Sequence, residues 1–371
     1  MSIPEILCAA AFALSTGCSG TRSGTDATPP MTMGKPAVTP PGANTMSKDL
    51  PALPPAVDEA TDAGGPCGGF EGAAEEPTLI LKGRLSARFV RGLRAAGPGY
   101  SFIPVDPLFG LSEVFFVKEG EREIAVVADE LLARVEASDP GAQLAELFAA
   151  VERLAPMGST VRPLRSEHLP SVEVEPARPE IAGSGLLVLT AYTVGADRTV
   201  LRLRFHVSAA TPNAGCASLA RRMARTLSAG GRTLTRTAGT VTLPYFEVDA
   251  PSGYVLLKDH LPNGSIARLE RLGTLEGPRA RVVVYFGQEG LGVPFPFPAP
   301  DAARARRPFL GRDAEWRTWA ATEDGSATHY QRVALSGVLA LQGMAIAGFA
   351  TTDEGLASEL TAILASVRLK P

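Results

Sequence analysis

The fold is decided by the stretch ATPNAGCAS at Ala210–Ser218, which recurs as ATTDEGLAS at Ala350–Ser358. Thr351 follows Thr211 by 140 residues, and the similarity continues beyond both stretches. Each copy has apolar residues at the i, i+4, i+7, i+8 and i+11 spacing of an amphipathic helix. These residues are Cys216, Ala220, Met223, Ala224 and Leu227 in one copy and Leu356, Leu360, Ile363, Leu364 and Val367 in the other. The chain therefore contains an internal repeat, and a helix closes each copy.

Strand-like sequence precedes both helices. Leu187–Val194 and Thr199–Val207 flank a predicted turn at Gly195–Arg198, and apolar residues alternate with polar ones in the second strand, which predicts one buried and one solvent-facing side. Thr328–Leu335 and Val338–Phe349 form the corresponding pair. Further strands are predicted at Thr78–Lys82, Glu113–Lys118, Glu123–Val127, Tyr245–Asp249, Ser265–Glu270 and Ala280–Phe286. This order of elements favours an α+β fold of two related, mainly antiparallel domains, each closed by a C-terminal helix.

The N-terminus has a short apolar run, Ile6–Leu14, followed by Ser15-Thr16-Gly17-Cys18. The run is too short to span a bilayer of about 30 Å, and it suits a removable signal peptide. The order of residues resembles the lipobox of bacterial lipoproteins. This resemblance implies cleavage after Gly17, a lipid on Cys18 and, because Ser19 follows, an outer-membrane destination. The alternative is an unprocessed N-terminus in the cytosol.

Residues 18–72 are rich in Thr, Pro, Gly, Ala and Ser, and their first aromatic residue is Phe70. Such a composition buries too little apolar surface to repay the entropy of ordering. We therefore expect a disordered linker between the signal peptide at 1–17 and the folded part. The first domain is predicted at 73–236 and the second at 240–371.

The composition bounds the classes of partner. The chain has 371 residues, 45% of them hydrophobic, and a formal net charge of -3. This charge argues against a nucleic-acid partner, and the membrane is expected to be contacted through the lipid anchor. Arg221, Arg222 and Arg225, with Arg202 and Arg204, suggest either a surface for anionic headgroups or an ordinary solvated face.

Two cysteines remain after the signal peptide and the lipidated Cys18 are set aside, Cys67 and Cys216. In an oxidising compartment they form a possible disulfide. The other reading is a buried, apolar Cys216 and a free Cys67. The cysteines do not show metal-ligand spacing, so we predict no metal site.

The second half resembles the Mog1/PsbP-like family of small α+β domains. The residues that support this are YFEVDAPSGY at Tyr245–Tyr254, the tryptophans Trp316 and Trp319, and the closing segment Leu360–Leu369. The resemblance covers about Val241–Lys370. It implies a fold shared with binding and assembly factors, and it implies no catalytic residue.

Motifs of catalysis or cofactor binding are missing from the sequence. GxSxG, HExxH, P-loop and GxGxxG patterns do not occur, so we predict neither an enzyme nor a cofactor. The histidines are His168, His206, His260 and His329. We expect His206 on the wet side of a strand and His260 in a surface loop at Lys258–Pro262.

A Pro/Phe tract, PFPFPAP at Pro294–Pro300, is the segment that the sequence favours for partner binding. Proline pre-sets an extended backbone, so Phe295 and Phe297 offer apolar area at low entropic cost. The alternative is a loop whose rings pack into the domain. Trp316 and Trp319 are candidates too, and they share one side if their segment is helical.

These patterns together predict a non-catalytic binding or assembly module of the bacterial envelope. Two other functions stay open, an envelope hydrolase without a recognisable motif and a structural envelope component.

Overall fold

Antiparallel β-strands make up most of the described part of the chain. The computed structural model describes residues 67, 70, 76–96, 112–120, 122–166, 168–178, 180–182, 185–208, 214–261, 264–287, 295–323, 326–338 and 343–370. All of them belong to one compact unit, 50–371. The predicted signal peptide and Cys18 lie outside the described residues, as does most of the predicted linker.

The first repeat contains eleven strands and two helices among the described residues. The strands are β1 Thr78–Ile80, β2 Leu85–Ala87, β3 Arg94–Ala95, β4 Ser112–Glu119, β5 Arg122–Arg134, β6 Thr160–Pro163, β7 Ser171–Glu175, β8 Glu180–Ala182, β9 Gly185–Val194, β10 Thr199–Val207 and β11 Ser228–Ala229. The helices are α1 Pro140–Leu154 and α2 Ala214–Arg225. The large sheet has the order β3-β4-β5-β10-β9-β7-β6, with β8 also on β9.

The second repeat contains the remaining eleven described strands. They are β12 Thr235–Arg236, β13 Gly239–Thr242, β14 Phe246–Ala250, β15 Tyr254–Leu261, β16 Gly264–Arg271, β17 Ala280–Gly287, β18 Ala303–Phe309, β19 Arg312–Glu323, β20 Ser326–Val338, β21 Gly343–Thr351 and β22 Arg368–Leu369. A 3-10 turn at Glu354–Leu356 leads into α3, Ala357–Ala365. The large sheet has the order β12-β15-β16-β17-β21-β20-β19-β18.

The repeat seen in the sequence is a repeat of topology. In both copies the last strand of the large sheet leads into the closing helix, and a short strand after the helix pairs with the second strand of an opening hairpin. These small sheets are β1-β2-β11 and β13-β14-β22. Each copy has its own apolar core beneath its closing helix, where Cys216 to Leu227 and Leu360 to Val367 supply the predicted buried residues.

The expected α+β class needs a correction, because only three helices accompany twenty-two strands in the described part of the chain. The architecture is therefore closer to all-β. Strand β18 was not predicted because Phe309 is its single buried residue, so it lacks the large apolar residues at alternate positions that mark a strand. The predicted loop at Lys258–Pro262 is also wrong, since β15 continues to Leu261. The boundary between domains at 236 and 240 stays a prediction.

Helix α1 has no counterpart among the described residues of the second repeat, and it was not predicted. Its start has a clear local cause, because the Asp139 side chain accepts a hydrogen bond from the Ala142 amide at 2.9 Å and Pro140 takes the first helical position. Leu147 and Val151, one turn apart, are buried against the outer face of the first sheet. We call outer the face of each large sheet that lies opposite its closing helix.

Candidate partner-binding surface

The Pro/Phe tract lies on the outer face of the second sheet. Phe295 is buried, and its ring meets the rings of Trp319 and Tyr330 edge-on, with centroids 6.4 and 6.3 Å apart. Trp319 on β19 pairs with Tyr330 on β20 in the strand register, and their rings stack at 5.1 Å. Aromatic pairs in these geometries add to the energy of burial. Phe295 therefore anchors the tract to the sheet.

A glycine allows this anchor to approach the sheet. A Cβ atom on Gly348 of β21 would lie 2.8 Å from Phe295 Cζ and 2.5 Å from the Gln331 carbonyl oxygen. Real Cβ atoms do not make contacts this short. The position of Phe295 thus depends on a residue without a side chain in the neighbouring strand.

Phe297, two residues further along, is 84% exposed. The Arg332 guanidinium lies over its ring, 5.2 Å from the centroid, within the range of a cation–π interaction. Pro296 and Pro298 restrict the backbone on both sides of the ring. The ring is therefore presented to solvent by a stiff segment.

Arginines surround this ring on the outer face. Arg306 pairs with Asp313 at 2.9 Å and Arg317 pairs with Glu315 at 2.7 Å. Burial, and then the charge of Arg317, lower the pKa of Arg332. The strand register places Arg304, Arg306, Arg317 and Arg332 on this face with Asp313 and Glu315 beside them, so this cluster is positive. We call it the Phe297 surface, and it consists of Phe297, Trp319, Arg304, Arg306, Arg317 and Arg332.

Trp316 lies on the opposite side of β19. It is buried in the core, its Nε1 donates to the Arg307 carbonyl at 3.3 Å, and its ring meets Phe309 edge-on at 5.7 Å. We expected Trp316 and Trp319 to share one side only if their segment was a helix, and the segment is the strand β19. Residues three apart on a strand face opposite ways, so the two tryptophans are separated.

Cys67 and Cys216 are joined by a disulfide, with their Cα atoms 5.2 Å apart. The bond ties residue 67 to α2, and both residues are buried in the first core. The N-terminal side of the fold is thus covalently linked to the closing helix of the first repeat.

Three of the five arginines considered for headgroup binding, Arg202, Arg204 and Arg221, have acidic partners. Arg221 binds Glu173 and Glu175 at 2.8 and 3.0 Å. Arg202 and Arg204 both bind Asp129 at 3.0 Å. Glu173 and Glu175 belong to β7 and Asp129 belongs to β5, so strands of the first large sheet bind these cations.

The described part of the chain forms neither a group of metal ligands nor a membrane-spanning helix. It contains no group of three His, Cys, Asp or Glu side chains able to hold a metal ion. Its helices include none both long and apolar enough to cross a membrane.

The similarity of this chain to known proteins is weak. No protein-family model and no curated protein sequence matches the chain. Among solved structures, it is similar to the apo immunity protein TplEi of T6SS from Pseudomonas aeruginosa, at 14% identity over 84% of this chain and 99% of that chain, with a TM-score of 0.22. It is also similar to a chain of the Tle4-Tli4 complex, at 13% identity over 80% and 97%, with a TM-score of 0.22. At these TM-scores we draw no functional conclusion from either structure.

Tyr330 and Arg332 belong to the site but were not among its predicted residues. The alternation of β20 places both on one side of the strand, opposite Val333 and Leu335. The alternation does not reveal which distant segment covers this side of β20. The contact with the Pro/Phe tract is a tertiary one, more than thirty residues away along the chain.

Proposed function

We propose that this protein is a non-catalytic binding module of the bacterial envelope. Its Phe297 surface would contact a protein partner that offers carboxylates around an apolar recess. The observation that supports this is the exposed Phe297 ring over Arg332, held in place by the buried Phe295. Aromatic residues and arginine are the side chains most enriched in the energetic centres of protein interfaces.

The stiffness of the tract also favours binding. A ring that is already ordered loses little side-chain freedom when a partner covers it. The surrounding arginines add long-range attraction for an acidic partner and raise the association rate. The surface thus has the parts of a recognition site, and none of its residues has the role of a nucleophile or a general base.

The surface can be tested by site-specific photo-crosslinking in the native host. A photoreactive phenylalanine analogue at position 297 should yield a discrete crosslinked partner. The same analogue at Met157, a fully exposed residue of another surface, is the control position. Equal crosslinking at the two positions, or none at 297, would contradict the proposal.

A charge reversal tests the role of the arginines. Arg332→Glu in the position-297 background should reduce crosslinking at least tenfold, because it removes the cation beneath the ring and repels an acidic partner. Arg153→Glu on α1, an exposed arginine outside the surface, is the matched charge control and should have no effect.

We further propose that a lipid on Cys18 anchors the protein to the membrane and that residues 18–72 give the folded part reach from the membrane surface.

 The lipobox resemblance supports the anchor, and the Thr/Pro/Gly composition of the linker supports the reach. A single acyl chain binds membranes only marginally, whereas the diacylglyceryl group that the resemblance implies supplies two chains. Because Ser19 follows Cys18, the same resemblance implies an outer-membrane destination.

The anchor is tested separately from the binding surface. Labelled palmitate should be incorporated into the wild-type protein in a bacterial host, and Cys18→Ser should abolish the label. Cys67→Ser serves as the matched cysteine control and should keep it. Equal labelling of the wild type and Cys18→Ser would contradict the anchor without affecting the Phe297 surface.

A further inference from the structure

A cavity of about 340 Å³ lies between the C-terminal end of α1 and the outer face of the first sheet. Arg202, Arg204 and His206, at alternate positions of β10, line it. Ser159, Thr190 and Tyr192 add further polar groups, and Leu154, Pro156 and Leu187 add apolar ones. The volume of the cavity, and its lining of polar and apolar groups, are typical of a site that binds a small molecule.

The charge of this cavity is positive. Asp129 is the carboxylate that binds both arginines, and it also accepts a hydrogen bond from Ser112 at 2.8 Å. One negative charge thus faces two positive ones. The Arg202 and Arg204 side chains remain 30% and 19% exposed, and each guanidinium has five N–H groups. Asp129 does not use all of these donors, so another acceptor can bind there.

His206 is the second feature that points to a ligand. It is 1% exposed, in contrast to the surface position expected from the sequence, and neither ring nitrogen has a hydrogen-bond partner among the described residues. The Ser159 hydroxyl in the same cavity is also buried and unpaired in this part of the chain. Buried polar groups are normally hydrogen-bonded. A ligand in the cavity would satisfy both.

The second repeat shows that the fold itself does not require these polar groups. At the repeat spacing of 140 residues, Ile346 takes the place of His206. Around Ile346 the outer face is apolar, and Phe295 packs there against Ile346, Tyr330 and their neighbours. In the first repeat the equivalent region is polar and partly open, because Arg202, Arg204 and His206 line it.

We propose that this cavity binds a small amphipathic anion. Its carboxylate or phosphate headgroup would contact Arg202 and Arg204 and accept a hydrogen bond from His206. Its short apolar part would lie against Leu154 and Leu187. This site is independent of the Phe297 surface, which belongs to the other repeat.

Three probes of equal chain length test the proposal by isothermal titration calorimetry on the full chain. Octanoate and octyl phosphate carry the two candidate headgroups, and 1-octanol carries none. We expect at least one of the two anions to bind at least tenfold more tightly than the alcohol, and the tighter anion identifies the headgroup. Equal affinity for all three probes, or no binding of any, would overturn the proposal.

Two variants locate the bound probe. Arg204→Gln removes one cation but leaves Arg202 on Asp129, and it should weaken anion binding at least tenfold. Leu154→Trp fills the mouth of the cavity from a half-exposed position. It should weaken anion binding by a similar factor without changing the charge of the cavity. Leu79→Trp, at an exposed leucine of β1 that does not line the cavity, should bind like the wild type. Wild-type affinity in both Arg204→Gln and Leu154→Trp would overturn the assignment.

Histidine NMR gives a readout that does not depend on stability. In the ¹⁵N spectrum of the imidazole groups, the His206 signals should shift when the anion is added. In His206→Ile these signals are absent, and the remaining three histidines should not respond. A response confined to the other histidines would place the probe elsewhere and overturn the proposal.

Discussion

Removing the disulfide by Cys67→Ala is expected to lower the free energy of unfolding by about 4 to 5 kcal/mol. The bond joins residues 149 apart, and in the chain-entropy model a closed loop of roughly this length stabilises the folded state by about 5 kcal/mol. The loss should appear as a lower midpoint of denaturation in guanidinium chloride. The wild type measured with dithiothreitol should show the same loss.

A second cysteine variant controls for packing. Cys216→Ala breaks the same bond but also removes a sulfur from the first core, where Cys216 is 1% exposed. It should be at least as destabilised as Cys67→Ala, because a small cavity adds to the lost cross-link. If reduction leaves the midpoint of the wild type unchanged, the stabilising role of the bond is wrong.

Lowering the pH from 6.5 to 4 should cost the wild type about 3 kcal/mol through His206 alone. Burial and then the charge of Arg204, with a smaller effect of Arg202, lower the pKa of His206 from 6.5 to about 4, and the charge of Asp129 opposes this shift. Between these values the unfolded chain binds a proton that the folded chain does not, so stability falls as the pH falls. One pKa unit corresponds to about 1.4 kcal/mol.

The variant His206→Ile, with the residue that the second repeat has at this position, isolates the effect. In this variant, the difference in the free energy of unfolding between pH 6.5 and pH 4 should be about 3 kcal/mol smaller than in the wild type. Leu187→Ile changes the residue opposite His206 in the register without removing a titrating group, and it should keep the full wild-type difference. Equal pH dependence in the wild type and His206→Ile would show that the imidazole does not titrate as expected.

Local pattern was sufficient for the repeated elements. In β10, Leu201, Leu203, Phe205 and Val207 alternate with Arg202, Arg204 and His206, because the apolar side of the strand packs in the first core. The closing helices have an apolar stripe that recurs after 140 residues. Strand β18 and helix α1 were not predicted, for different reasons. Strand β18 buries a single residue, Phe309, whereas α1 has a visible cap at Asp139 and an apolar pair at Leu147 and Val151.

The candidate site was predictable in part. Phe295, Phe297 and Trp319 could be named from an unusual Pro/Phe tract and a nearby tryptophan. Tyr330 and Arg332 could not be joined to them, because the contact depends on strand order in the sheet. Trp316 and Trp319 would share one side in a helix, but their segment is the strand β19, which separates the two.

The sequence by itself determined the internal repeat, the strand and helix that close each copy, and the apolar residues beneath each closing helix. These features depend on periodicity, which neighbouring residues establish without reference to the rest of the chain. The tertiary structure alone decided what covers each outer face: α1 and a polar cavity in the first repeat, and Phe295 in the second. Burial of His206 belongs to this group, because α1 and the loop after it approach β10 from a distant part of the chain. Alternation can show that a side chain leaves one core, but it cannot show that a second layer lies on the other side.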